Sequence, residues 1–164
     1  LLIMDADSAT PITELPTLWR HRVDAPIVLG SRYLSSSRIH RAQPLIRRLL
    51  SRLGNLAIRL VAGLPLSDTQ NGFKLFAGRE ARAIFRVAQI DRWGFDIEVL
   101  VIAKHWQLGI LEVPVSWSDA AGSKLRAGRD AWRTLRELMK IRRNLTRGNY
   151  QVPNSNDQTN QNSQ

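Results

Sequence analysis

The chain has 164 residues, 43% of them hydrophobic, with a formal net charge of +10 at neutral pH, which is length enough for one domain with its own core. No run reaches the ~18 apolar residues that span a bilayer, and the lack of cysteine excludes disulfides and thiolate metal sites. The excess of Lys and Arg implies an anionic partner: nucleic acid, nucleotide or an acidic membrane surface.

Leu1-Leu2-Ile3-Met4 reads as a short buried strand, and Asp5-Ala6-Asp7 follows at once. In open α/β sheets ligands gather beyond the carboxyl ends of strands, and side chains at i and i+2 of an extended chain lie on one side. Asp5 and Asp7 therefore suit Mg²⁺ or Mn²⁺ with a phosphate as co-ligand. The competing reading has Asp7 capping the next helix and Asp5 solvated. Because the chain opens on Leu inside a strand, without the charged flank of a signal peptide, it is expected to be a fragment missing an N-terminal part. Ser8 or Thr10 is expected to cap a helix running to about Arg22, with Pro11 at its first position. Pro26 to Leu29 reads as a second buried strand, ended by Gly30. Ser31 and Arg32 then stand at another strand terminus, where Arg32 is either a phosphate ligand or a surface arginine.

Ser35 to Arg38 reads as a polar loop. From Arg41 to Ala62, Leu45, Leu49, Leu53, Leu56 and Leu60 recur at helical spacing, with Arg48, Arg52 and Arg59 on a different face. No acidic residue falls between Asp24 and Asp68, whereas a solvated helix face ordinarily mixes signs. This helix is expected to lie in an anionic membrane interface; the alternative is a helix packed on the core with its arginines in water. Gly63 and Pro65 end it. In Ser67 to Phe76, a hairpin-like turn at Asn71-Gly72 explains part of the pattern, but not why Asp68, Gln70 and Lys74 gather beside it.

Gly78 to Ala88 reads as a short helix. A second runs from Trp93 to Trp106, with Asp96 as N-cap and Glu98 favoured by the helix dipole. Pro114 makes Ile110 to Trp117 an edge or final strand. Ser118 to Lys124 reads as a flexible loop and Leu125 to about Leu145 as a second basic helix. The pattern gives one partial domain over 1–147 and an Asn/Gln-rich tail over 148–164 expected to be disordered.

Taken together, LLIMDADSATP, VLGSRY, the basic helix, DTQNGFKLF, RWGFDIEVL, ILEVPVSW and GSKL resemble the family 2 glycosyltransferases, in the branch of the dolichyl-phosphate glucosyltransferases and mannosyltransferases. The matching pieces span about residues 1 to 140 in order. The resemblance implies the C-terminal part of a GT-A fold (nucleotide-diphospho-sugar transferase, Rossmann-like), an α/β architecture with a mostly parallel sheet flanked by helices. In the family a strand–helix–strand half that binds the uridine comes first, so this chain alone is expected to be inactive.

The implied reaction is inverting, metal-dependent transfer of a hexose, glucose favoured, from a nucleotide sugar (UDP-glucose or GDP-mannose) to a polyprenyl or dolichyl phosphate at the cytoplasmic face of a membrane. Asp5 and Asp7 would hold Mg²⁺ or Mn²⁺. An acceptor phosphate, with a second pKa of ~6, is already a nucleophile, so no general base is demanded. Asp68 and Asp96 are the catalytic candidates, Asp68 and Gln70 as ligands of sugar hydroxyls and Asp96 as base, sugar ligand or helix cap. Ser31, Arg32, Lys74, Glu98, Ser123 and Lys124 are substrate-binding candidates, and Trp117 is either a cover over the site or a core residue. Two rivals stand beside this reading. A nucleic-acid-binding module predicts aromatics interleaved with the basic residues, yet the 41–62 helix has none, and no nucleic acid partner is expected. The other is a membrane-surface module that keeps the fold without catalysis.

Overall fold

A computed structural model describes residues 1–41, 45–91, 94–118 and 127–152. The strongly apolar segment Ile27–Ser31 forms strand β2, buried along its whole length, as a strand covered on both faces must be. It sits in a four-stranded sheet with β1 (Leu2–Ile3), β4 (Lys74–Phe76) and β5 (Ile110–Pro114), in the order β1-β4-β2-β5. Strand β4 runs against both β1 and β2, while β5 runs parallel to β2, so β1, β2 and β5 share one direction. Strand β5, which carries Pro114, is an edge strand. A second, two-stranded parallel sheet pairs β3 (Arg38–Arg41) with β6 (Ser116–Ser118).

The alternation of side chains along β2 divides the core. Ile27 and Leu29 meet Phe76, Ile84, Ile97, Leu100 and Ile141 on one face. Val28 meets Leu18, Phe73, Leu75, Val113 and Val115 on the other. The first face is covered by helices α2 (Leu45–Ala62), α3 (Gly78–Val87), α4 (Phe95–His105) and α5 (Ala127–Thr146), the second by α1 (Leu15–Arg20). Helix α4 is buried continuously from Ile97 to Ala103, which accounts for its lack of a polar stripe.

Several expectations change. Arg38 to Arg41 is a strand, because β6 supplies a pairing partner that no local pattern announces. The first helix is broken into a 3-10 turn (Ile12–Glu14), α1 and a second 3-10 turn (His21–Val23), with no side-chain cap. Gly94, not Asp96, caps α4, leaving Asp96 in its first turn. The leucine stripe of α2 points outward: Leu49, Leu53, Leu56 and Leu60 are 59, 53, 47 and 73% exposed. Its inner face carries buried Asn55 and Ile58.

The tail expected from Gly148 is ordered through Tyr150, which is fully buried; residues 153–164 lie outside those described. Tyr150 donates its hydroxyl to Glu98 Oε1 at 2.7 Å, and its carbonyl accepts from Trp106 Nε1 at 2.8 Å. Burial and the bond to Glu98 push the Tyr150 phenol upward, so it stays a donor. Replacing that donor, Tyr150→Phe, should cost about 1.5–3 kcal/mol, the worth of a bond to a carboxylate acceptor. Urea denaturation should show a lower midpoint with an unchanged slope.

Candidate active site

The carboxyl ends of β1, β2 and β5 and the amino end of antiparallel β4 fall at one end of the sheet, because Lys74 is in register with both Ile3 and Leu29. That register brings Asp5, Arg32 and Lys74 to a common neighbourhood. Asp5 and Asp7 do not sit on extended chain as expected. Ser8 N–H donates to the Asp5 carbonyl at 3.1 Å, closing a turn over Asp5–Ser8, and Ala9 N–H donates to Asp7 Oδ1 at 3.0 Å. Asp7 is exposed, and the turn still leaves its charge acting on Asp5.

The Asp5 carboxyl group rests against the backbone of Gly72, whose amide bonds to it. A Cβ at Gly72 would stand 2.2 Å from Asp5 Cγ, so any larger residue at 72 would displace the Asp5 carboxyl group from this position. The expected hairpin turn at Asn71-Gly72 is absent; the segment is an irregular loop leading into β4. Asn71 is buried within it, donating to the Gly30 carbonyl at 2.7 Å and accepting from Thr10 Oγ1 at 3.3 Å.

Lys74 is completely buried. Its ammonium donates to the Asn71 carbonyl at 2.5 Å and to Asp96 Oδ1 at 2.6 Å. Around it the Asp5 carboxyl is raised above its usual 3.8, first by burial and then by the charges of Asp96 and Asp7, against the opposing Lys74 and Gly72 amide.

Arg32 and Asp68 form the second ion pair. Asp68 Oδ2 accepts from Arg32 N (2.9 Å) and Nε (2.7 Å), and Oδ1 accepts from Nη2 (2.8 Å). The guanidinium also faces the rings of Tyr33 and Trp117, 5.3 and 5.4 Å from their centroids. Burial alone would lower its pKa, but the bonds and charge of Asp68 outweigh that and the net direction is upward. Both Asp68 oxygens are thus turned to Arg32 in a buried position, so Asp68 orients the guanidinium.

Of the other candidates, Ser31 is buried beneath the site, its carbonyl accepting from Ser37 Oγ at 2.6 Å. Gln70 is half-buried in the loop before β4. Glu98 is not brought to the site: it is fully buried and accepts from the Gln89 and Ile90 amides and the Tyr150 hydroxyl. Helical geometry explains this, since two positions along a helix turn a side chain away by more than a right angle. Arg52 is exposed, 5.9 Å from the Tyr33 ring centroid, and Arg59 is half-buried. Ser123, Lys124 and the Arg48 side chain lie outside what is described. Sequence reasoning passed over Asn55, Asn71 and Glu112. The available signal was a lone polar residue in an apolar run, as in Ile110-Leu111-Glu112-Val113.

Among the described residues, no group of three His, Asp or Glu side chains is arranged to hold a metal ion. A cation nonetheless suits Asp5 and Asp7, because the Asp5 carboxyl lies in a negative field that Lys74 only partly offsets. Two carboxylates also leave coordination positions for phosphate oxygens, as Mg²⁺ and Mn²⁺ sites commonly do.

A sheet with three strands in one direction, helices on both faces and charged groups gathered at one end is a mixed α/β arrangement of the GT-A glycosyltransferase type. No protein-family model matches the chain, but curated sequences do. It is 33% identical over 147 residues to the dolichyl-phosphate beta-glucosyltransferase of Dictyostelium discoideum, covering 86% of this chain and 45% of that protein. It is 38% identical over 134 residues to one from Trichomonas vaginalis (77% and 39%) and 31% identical over 132 residues to the Homo sapiens protein (76% and 41%). The chain belongs to this dolichyl-phosphate glucosyltransferase-like family of glycosyltransferases and spans less than half the length of these relatives.

The raised Asp5 pKa has a consequence for stability. A carboxylate whose folded pKa lies above its unfolded value weakens the fold when ionised, and the penalty vanishes below the unfolded value. Asp5→Asn should therefore raise the thermal midpoint at pH 7, and the gain should shrink as pH falls through the raised pKa toward 3.8. Scanning calorimetry across pH 3.5–7.5 checks both the sign and the window.

Proposed function

We propose that this chain is the acceptor- and metal-side part of a family 2 enzyme that transfers glucose, with inversion, from UDP-glucose to a dolichyl or related polyprenyl phosphate. The observation that carries this reading is the convergence of Asp5, Asp7, Arg32–Asp68 and Lys74–Asp96 at one sheet end, in a family whose named members are dolichyl-phosphate beta-glucosyltransferases. Asp5 and Asp7 would hold Mg²⁺ or Mn²⁺. When bound, the ion neutralises charge growing on the diphosphate leaving group.

The chain's own side chains divide the remaining work. Arg32, oriented by Asp68 and flanked by Tyr33 and Trp117, offers a planar donor edge to an anionic acceptor. Lys74 holds Asp96 by one oxygen, Oδ1, leaving the other to accept from a sugar hydroxyl. No residue needs to remove a proton, since the acceptor phosphate is ionised at neutral pH. In a complete enzyme that carries this sequence, Asp7→Asn should lower transfer at least ~100-fold while the fold survives. Transfer assayed against Mn²⁺ concentration, with circular dichroism as control, checks this; undiminished transfer with the same Mn²⁺ dependence would overturn the metal assignment.

Helix α2 is proposed to lie on the cytoplasmic face of an anionic membrane, where the lipid acceptor is confined. No described helix is long and apolar enough to cross a membrane. The support is the outward leucine stripe beside Arg52 and Arg59; Trp132, Leu135 and Met139 of α5 are exposed apolar side chains as well. Apolar burial and roughly 1 kcal/mol per arginine near an anionic surface act together in such a face. Co-sedimentation with phosphatidylserine-containing vesicles should fall by more than ~tenfold for Arg52→Glu/Arg59→Glu. It should fall again for Leu53→Ser/Leu60→Ser and weaken in high salt.

A further inference from the structure

Glu112 is a carboxylate in an otherwise apolar edge strand, in register with Leu29 at the middle of β2. Its two oxygens are divided between consecutive backbone amides: Ser67 N–H donates to Oε2 at 2.7 Å and Asp68 N–H to Oε1 at 2.8 Å. Asn55 of α2 grips the same loop at Ser67 and Thr69. Its Nδ2 donates to the Ser67 carbonyl at 2.5 Å, and its Oδ1 accepts from Thr69 N (3.3 Å) and Thr69 Oγ1 (2.8 Å). The loop 67–69 is thus held by two side chains, chiefly through its backbone, and the residue at its middle is Asp68.

Asp68 in turn takes three donors from Arg32, the backbone N–H and the Nε and Nη2 edge of the guanidinium. A guanidinium has five N–H donors in a rigid plane, so fixing that edge, with Tyr33 and Trp117 beside the plane, also fixes where the remaining Nη1 edge points. The chain of contacts is continuous: Glu112 and Asn55 hold the loop, the loop holds Asp68, and Asp68 aims Arg32. A charged acceptor on two backbone amides is among the stronger hydrogen-bond arrangements available.

We propose that Glu112 and Asn55 are positioning residues for the acceptor phosphate, acting through Asp68 on the orientation of Arg32. The proposal rests on the reading above that Arg32 meets the acceptor's phosphate. It assigns specificity for an anionic acceptor to two residues that never touch it.

The test uses a complete enzyme carrying this sequence, with a short-chain polyprenyl phosphate as acceptor. Glu112→Gln places an amide donor against one of the loop N–H groups; Asn55→Ala is the second variant should the first fail to fold, and Arg32→Lys is the reference. Both positioning variants should raise KM for the acceptor about tenfold, with KM for the sugar nucleotide changed less than about twofold. In the double variant Glu112→Gln/Arg32→Lys the losses should be clearly less than multiplicative, as expected for groups acting along one path. A positioning variant that lowers the thermal midpoint but leaves acceptor KM unchanged would show a merely structural clamp and overturn the proposal. Multiplicative losses would do the same. If Arg32→Lys itself leaves acceptor KM unchanged, the reading of Arg32 fails and the proposal falls with it.

Discussion

The ion pair between Lys74 and Asp96 is the constraint on which the rest of the site depends. Taking an ammonium fully out of water costs several kcal/mol even after relaxation, and Lys74 is entirely buried at the first position of β4. That cost is offset only if its donors find partners, and Asp96 and the Asn71 carbonyl accept two of the three. The first partner fixes the start of α4 against the sheet. The second fixes the loop before β4, where Gly72 lies against the Asp5 carboxyl group. One buried charge therefore sets the relative positions of β1, β4 and α4. It also explains why Asp5 tolerates two further carboxylates nearby: Lys74 supplies the opposing field within the protein.

The second ion pair works differently. Arg32–Asp68 is bidentate, and its guanidinium is flanked by the rings of Tyr33, its neighbour in the chain, and Trp117 of β6. Geometry of that kind spends part of the guanidinium's donor set to direct the rest. The two pairs share the site without competing, because β4 carries Lys74 while the loop before it carries Asp68. A single polar stretch, Ser67 to Lys74, thereby contributes to both.

Helix α2 links the site to the surface. Its inner face reaches the site through Asn55, on the loop beside Asp68, and Ser51, 3.2 Å from the Tyr33 hydroxyl. Its outer face is the leucine stripe. A helix that buries Asn55 and exposes Leu49, Leu53, Leu56 and Leu60 inverts the usual pattern of a domain helix.

The sequence by itself determined the order of elements, the apolar strands and the residue types that carry the chemistry. These are local properties: runs of Ile, Val and Leu specify buried strands, leucines at helical spacing specify α2, and Asp5, Arg32, Lys74 and Asp96 are legible as charges at element ends. Tertiary structure alone decided which of them meet. The antiparallel placement of β4 between β1 and β2 brings Lys74 under Asp5. The turn of α4 carries Glu98 away from the site and buries it with Tyr150, and β6 turns Arg38–Arg41 into a strand. It decided too that the leucines of α2 face outward, since periodicity identifies an apolar stripe but not what covers it. Glu112 and Asn55 were illegible for the same reason: their partners are backbone amides and carbonyls, which every sequence possesses and only a fold brings within reach.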